Sequence, residues 1–315
     1  MSEVPVDEGM LAFYKALSAK SPPESASWPL ARQREAWYEV CRAFRAPRPQ
    51  RLAVEDLSAN GVPVRVFRPP GNTSLPAVIY GHGGGWVLGE THDDICAEIA
   101  DQAHVVSVLI DYRLAPEHPY PAQLEDSLAV LDWMRTAGRA IGIDPARIVG
   151  AGDSAGGQMT VALALALRDR GLDPLRGQVL IYPVLGADTD TASYRRNAHA
   201  PCLTREEMIF YLESFLGPRG SPAWSDPYAV PNLARDVSGL PPAFIAVAGH
   251  DPLHDDGVIF ADKLAKAGVP VTLRDEPALA HSFMRARHHS APAMAAFKAI
   301  VAAIAALAHG GSLPS

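Results

Sequence analysis

The chain has 315 residues, 48% of them apolar and 20% charged, which is enough material for one large α/β core with insertions. Its 28 basic against 35 acidic side chains leave a formal charge of −7 with no basic tract, and this argues against nucleic acid as a partner. Cys41, Cys96 and Cys202 are widely spaced with no CxxC pair, and the acidic N-terminus lacks an apolar signal core; both point to a reduced, cytoplasmic setting.

Residues 7–19 and 29–45 carry helical spacing and are separated by the Pro/Ser-rich break "SPPESASWP" (21–29). They form an expected N-terminal helical cap segment, 1–50, ahead of a catalytic domain over 51–315. The texture then changes. "RLAVEDLSANGVPVRVFRPP" (51–70) is two alternating runs around Asn60-Gly61, a strong hairpin signal. Strand-like runs follow: "PAVIYGH" (76–82), "VVSVLIDY" (105–112), "RIVGAG" (147–152), "GQVLIYPVL" (177–185), "PAFIAVAG" (242–249) and "PVTLRDE" (270–276). Helical stretches at 93–103, 123–137, 155–170 and 254–267 lie between them, with a last one near 291–308. This alternation predicts an α/β fold whose mostly parallel sheet is covered on both faces. The interval 186–238 breaks the rhythm. It holds one helical segment near 204–216 and reads as an inserted cap or lid. "APAMAAFKAIVAAIAALAHGG" (291–311) is Ala-rich and contains Lys298, so it reads as a closing helix and not a membrane span.

"RIVGAGDSAGGQM" (147–159) places Ser154 in G-x-S-x-G, with an apolar strand entering and a helical run leaving. A nucleophile elbow needs that context: a strained strand-to-helix turn with small neighbours. The bland rival is a Gly-rich βα turn of the kind that binds phosphate. Partners decide between the two. Asp251 stands at the end of one strand run, with Asp255 and Asp256 as alternatives in the same loop, and His281 follows the last strand run. The order Ser…Asp…His is that of α/β-hydrolases, and all three fall beyond strand carboxyl ends. Ser154 would attack a carbonyl, His281 would relay its proton, and Asp251 would orient the imidazole. His250 and His254 flank Asp251 without a metal-ligand pattern, so no metal is expected.

In "YGHGGGWVLG" (80–89) the glycine triplet can turn N–H groups towards one point. With the amide of Ala155, Gly83 and Gly84 are the expected oxyanion donors. G-x-G-x-x-G spacing and a P-loop lysine are missing, which weakens a nucleotide reading.

Together "HGGGW" (82–86), "DYRLAPEHPYPA" (111–122), "GDSAGG" (152–157), "DPLHDDG" (251–257) and "HSF" (281–283) resemble the hormone-sensitive-lipase-like branch of the α/β-hydrolases, bacterial carboxylesterases. The resemblance runs from about residue 60 to the C-terminus. It implies an eight-stranded sheet, a helical cap and a Ser-Asp-His triad that needs no cofactor. Within it Ser154, Asp251 and His281 match the triad, and Asp251 is preferred over Asp255 and Asp256. It makes His82 a support of the oxyanion loop and Asp153 a loop organiser. It also has Arg113 and Glu117 tie that loop down by charge pairing. Three positions depart from the family pattern: Ser282 and Ala278 where glycine is usual, and Glu276 where an aromatic is common.

The implied function is hydrolysis of short- to medium-chain acyl esters through an acyl-enzyme. Trp86, Tyr194, Phe210, Tyr211 and Phe215 are candidate pocket residues, though cap packing accounts for the last four as well. The partner is a small-molecule ester; a homodimer through sheet edges is admitted but not required. An N-acyl deacetylase or amidase on the same triad is the alternative. A receptor that has given up catalysis is disfavoured because all three triad residues are present.

Overall fold

A computed structural model describes residues 4–20, 22, 28–71, 74–89 and 92–314, so most of the Pro/Ser-rich break lies outside the described residues. Two antiparallel strands, β1 (Ala53–Ala59) and β2 (Val62–Arg68), turn at Asn60 and Gly61. Both turn residues have positive φ, 50° and 93°, the conformation that a tight two-residue hairpin requires. The remaining strands are β3 (Leu75–Gly81), β4 (Val106–Ile110), β5 (Ile143–Asp153), β6 (Gln178–Ile181), β7 (Ala243–His250) and β8 (Val271–Ala280). They form one eight-stranded sheet in the order β1-β2-β4-β3-β5-β6-β7-β8, parallel from β4 to β8.

Every residue of β3, β4 and β6 is buried, which explains their unbroken apolar runs: helices cover both faces. On one face lie α3 (Asp93–Ala103) and α9 (Ala291–His309); on the other lie α4 (Ala122–Thr136), α5 (Ala155–Asp169) and α8 (His254–Lys266). Helix α5 is buried from Ala155 to Leu167, as expected of a helix apolar on every side. Helix α9 is long and apolar enough to cross a membrane, but half of it is buried in this fold, capped by Ser290 and ended by Gly310 at φ 83°. Helices α1 (Glu8–Lys20) and α2 (Leu30–Ala43) bury Met10, Phe13 and Val40 in the α3/α9 layer. Between β6 and β7 run α6 (Ala192–Arg196) and α7 (Arg205–Leu216), the latter started by a Thr204/Glu207 capping box.

One topological fact positions the site. The chain leaves β3 towards β4 on one side, then crosses to β5 on the other, so a crevice opens beyond the carboxyl ends of β3 and β5. Gly81 and Gly152 are register partners at those ends. The two Gly-rich motifs of the sequence therefore leave the sheet side by side.

Candidate active site

Ser154 sits between β5 and α5 at φ 55°, ψ −116°. For a residue with a Cβ this conformation costs roughly 1–3 kcal/mol and persists only where surroundings enforce it. They do. Its N–H donates to the Ile181 carbonyl at 2.9 Å, and its carbonyl accepts from Gly157, Gln158 and Val184. The flanking glycines are spatial requirements: a Cβ on Gly156 would fall inside the Gly81 carbonyl, one on Gly152 would strike the Gly156 carbonyl, and one on Gly157 would lie 2.7 Å from Pro183. That is why the motif is built almost without side chains around its serine.

The His281 Nε2 lies 3.0 Å from Ser154 Oγ, and its Nδ1 lies 2.6 Å from Asp251 Oδ2. A carboxylate only accepts, so the proton belongs on Nδ1 and the Nε2 lone pair faces the serine hydroxyl. Asp251 is fully buried, and its other oxygen accepts from the Leu253 amide at 2.9 Å. Asn197, which the sequence reading missed, donates to the carbonyls of Gly249 and Asp251 and so fixes that loop. The Tyr182 ring tilts against the imidazole with centroids 4.7 Å apart. Ser282 follows at φ 62°, in the left-handed region that explains why glycine is usual there.

The rival acids are placed elsewhere. Asp255 accepts from Ser193 N, and Asp256 from the amides of Leu185 and Gly186, so both fasten the segment after β6. Burial pushes Asp256 up to about 7 despite those two amides. His250 bonds to the Val4 carbonyl, and His254 to Asp255 and Asp275, which separates the pair chemically.

The oxyanion loop corrects one expectation. The Gly83 amide is spent on Asp153 Oδ1 at 3.0 Å, so it is not a donor towards Ser154. In a trans peptide, C=O and the following N–H point in opposite directions. The Gly83 carbonyl accepts from His82 Nδ1 at 2.8 Å, which turns the Gly84 N–H the other way. The Gly84 carbonyl accepts from Val87 and Leu88, which turns the Gly85 N–H away from that turn. Among the described residues the amides of Gly84, Gly85 and Ala155 have no acceptor. The set that the geometry leaves available is therefore Gly84, Gly85 and Ala155.

His82 is buried, and burial drops its imidazole to about 3, so it stays neutral while stacked on Tyr112 at 4.1 Å. Asp153 is buried too. Burial alone would raise its carboxyl, but His92, Arg285 and Tyr80 outweigh it and hold the group ionised. It collects Tyr80 Oη, Gly83 N and His92 Nε2. Arg113 and Glu117 do not pair with each other: Arg113 binds Asp126 and Glu125, and Glu117 binds Arg34 of α2.

Ser154, His281 and the glycine triplet open into a cavity of about 560 Å3. Val184, Leu203, Met208 and Tyr211 line it, together with Tyr14, Leu17 and Trp37 from α1 and α2. Of the five expected pocket residues only Tyr211 lines it. Trp86 is buried, stacked on the buried Phe215 at 4.0 Å, with its indole N–H on Gln158. Tyr194 is buried in the core, and Phe210 faces outward, 43% exposed. A larger concavity, about 790 Å3, lies among Pro145, Pro174, Pro242 and Pro270 at the other end of the strands and holds none of these groups.

A family model described as alpha/beta hydrolase fold matches residues 78–285. Carboxylesterase NlhH of Mycobacterium tuberculosis is 45% identical over 227 residues, covering 71% of this chain and 71% of that protein. Ethyl acetate hydrolase of Pseudomonas putida is 35% identical over 240 residues, 74% of this chain and 75% of its own. Among solved structures, a hyperthermophilic esterase of the archaeon Pyrobaculum calidifontis superposes with a TM-score of 0.86 at 32% identity, covering 96% of this chain and 99% of its own. An ester hydrolase from the metagenome of Lake Arreo, solved with a bipyridine phosphonate derivative, gives 0.88 at 32% identity, 98% and 100% covered.

Proposed function

Because the chain belongs to the α/β-hydrolase fold family and is a carboxylic ester hydrolase, we propose that it cleaves short- to medium-chain acyl esters through an acyl-enzyme on Ser154. Ser154 Oγ attacks the ester carbonyl while His281 Nε2 takes its proton; Asp251 holds the imidazole and balances its charge. The tetrahedral oxyanion is met by the amides of Gly84, Gly85 and Ala155, each donor contributing roughly a hundred- to a thousand-fold. His281 returns the proton to the departing alcohol. Water, activated by the same imidazole, then releases the acid. No cofactor enters these steps.

The observation that carries this reading is the continuous chain Asp251–His281–Ser154, with links of 2.6 and 3.0 Å, at the floor of the cavity. The apolar lining of Val184, Leu203 and Met208 supports an acyl chain, and the 560 Å3 volume supports a modest one. The segments 1–50 and 186–238 are read as one cap: α1 and α2 supply part of the lining, and the stretch around α7 supplies another part.

The test is hydrolysis of p-nitrophenyl butyrate by the wild type and by Ser154→Ala, with folding checked by circular dichroism. Removing a triad serine in a comparable enzyme costs on the order of a million-fold. Turnover that survives in the folded variant rejects the assignment.

A further inference from the structure

The oxyanion loop is built from the most flexible residues available, so something outside it must hold its shape. Its inner end is fixed by His82, Asp153 and Tyr112, the last donating to the His82 carbonyl at 2.8 Å. Its outer end, the turn from Gly84 to Leu88, is held from the N-terminal helix. Arg34 of α2 donates Nε to the Val87 carbonyl at 2.8 Å and Nη2 to the Ala115 carbonyl at 3.1 Å. Ala115 in turn donates its amide to the Trp86 carbonyl at 2.9 Å. Glu117 grips the same guanidinium with both oxygens, at 2.7 and 2.8 Å. Only a planar fork can serve two loop carbonyls and a bidentate carboxylate together.

We infer that Arg34 is a positioning residue for ester hydrolysis, aiming the Gly85 amide by fixing the turn whose Val87 and Leu88 amides hold the Gly84 carbonyl. This inference rests on the reading of Ser154 and the loop given above. Two features separate it from ordinary surface pairing. Arg34 and Glu117 are partly exposed, with side chains 25% and 50% accessible, and such a pair contributes little to stability by itself. Yet the carbonyl it holds belongs to fully buried Val87, three residues beyond the Gly84 whose carbonyl orientation it sets. The same helix presents Gln33 and Trp37 to the cavity, one on either side of Arg34 in sequence. Docking of α2 beside the cavity and alignment of the oxyanion donors are thus set by one side chain.

The experiment uses Arg34→Met, Arg34→Lys and Glu117→Gln in the full chain. Three quantities are measured: kcat per titrated active site, KM for p-nitrophenyl butyrate, and Ki for an alkyl trifluoromethyl ketone. The ketone's serine adduct carries an alkoxide at the oxyanion position, so its affinity reads donor alignment directly. Displacement of a reacting group by about 1 Å can cost around a hundred-fold. Arg34→Met should lower kcat about ten- to a hundred-fold with KM changed less than about threefold, and weaken the ketone by a similar factor. Arg34→Lys should recover only part, because a point charge cannot replace the fork. Glu117→Gln should show the same parallel loss on a smaller scale, which carries the test if Arg34→Met does not fold.

An unchanged kcat with a raised KM, or a lowered kcat with unchanged ketone affinity, overturns the inference and leaves Arg34 a helix-docking residue. Ser154→Ala in the same series keeps the two questions apart. If it retains turnover, the esterase assignment itself fails. If it is inactive while the Arg34 variants behave as wild type, only the inference fails.

Discussion

Asp251→Asn tests the acid of the proposed triad more sharply than deletion does, because the structure dictates how the new amide must sit. The Leu253 N–H donates to Asp251 Oδ1, so an asparagine keeps its oxygen there and places its NH2 at the Oδ2 position, facing His281 Nδ1. Two donors cannot face each other. The imidazole must therefore make Nδ1 an acceptor and carry its proton on Nε2, pointing at Ser154 Oγ. That tautomer cannot accept the serine proton. The same substitution in a serine protease triad lowers kcat about ten-thousand-fold with geometry intact, equivalent to about 5 kcal/mol of barrier. We expect a comparable loss in kcat for p-nitrophenyl butyrate at pH 8, with a melting temperature close to wild type. Asp255→Asn, which alters the hold on Ser193 and the contact with His254 but leaves the Asp251–His281 link in place, should stay within about tenfold of wild type. A loss below about a hundred-fold for Asp251→Asn, or a larger loss for Asp255→Asn, would refute the tautomer argument.

Gly156→Ala should destabilise the fold by about 4 kcal/mol or more, since its Cβ overlaps the Gly81 carbonyl, whereas Gly171→Ala, at φ 61° with open space around it, should cost only about 1–2 kcal/mol; urea midpoints distinguish them. Asp256 gives a pH signature. Its folded pKa is raised from 3.8 to about 7, so the folded state binds the proton more tightly than the unfolded chain does. The resulting stability is full below about pH 4 and is lost as pH rises through about 7, by at most about 4 kcal/mol. Asp256→Asn should flatten that slope in denaturant midpoints taken from pH 4 to 8, and an unchanged slope would remove the buried carboxyl as its source. Tyr211→Ala should raise the ratio of kcat/KM for p-nitrophenyl octanoate over butyrate several-fold, because the ring lines the cavity against Gly85. Phe210→Ala, on the outer face, should leave that ratio unchanged. Equal effects from the two would contradict the placement of α7.

What the sequence makes legible follows from where covalent order already constrains space. Six strand-like runs separated by helical stretches fall on β3 to β8, and the runs over β3, β4 and β6 are unbroken and apolar because those strands are buried along their whole length. Ser154, Asp251 and His281 each stand just past a strand, and parallel strands bring those ends together whatever the loops do. The glycine triplet is different. Spacing cannot say which of three adjacent amides is consumed, because the answer lies with Asp153, seventy residues away and ionised inside the core. The Arg34–Glu117 pair, eighty-three residues apart, has no local signal at all.

The aromatic residues of α7 carry a signal that residue type alone does not use. Met208, Leu212 and Phe215 are spaced four and three residues apart, so they share one buried face, and Tyr211, three residues from Met208, lies beside it. Phe210 is two from Met208 and two from Leu212, which puts it on the opposite side of the helix. Periodicity within 205–216 therefore separates Tyr211 from the exposed Phe210 and marks Phe215 as buried, while its stacking partner Trp86 is visible only in the structure. The lining from α1 and α2 has no such rule, because Tyr14, Leu17 and Trp37 come from helices joined to the core by tertiary contact alone. On the proposed reading, substrate preference is written chiefly in the segments least constrained by the catalytic motifs. Relatives that share Ser154, Asp251 and His281 can differ in the esters they accept by changing α1, α2 and α7 while the machinery beyond β3 and β5 stays as it is.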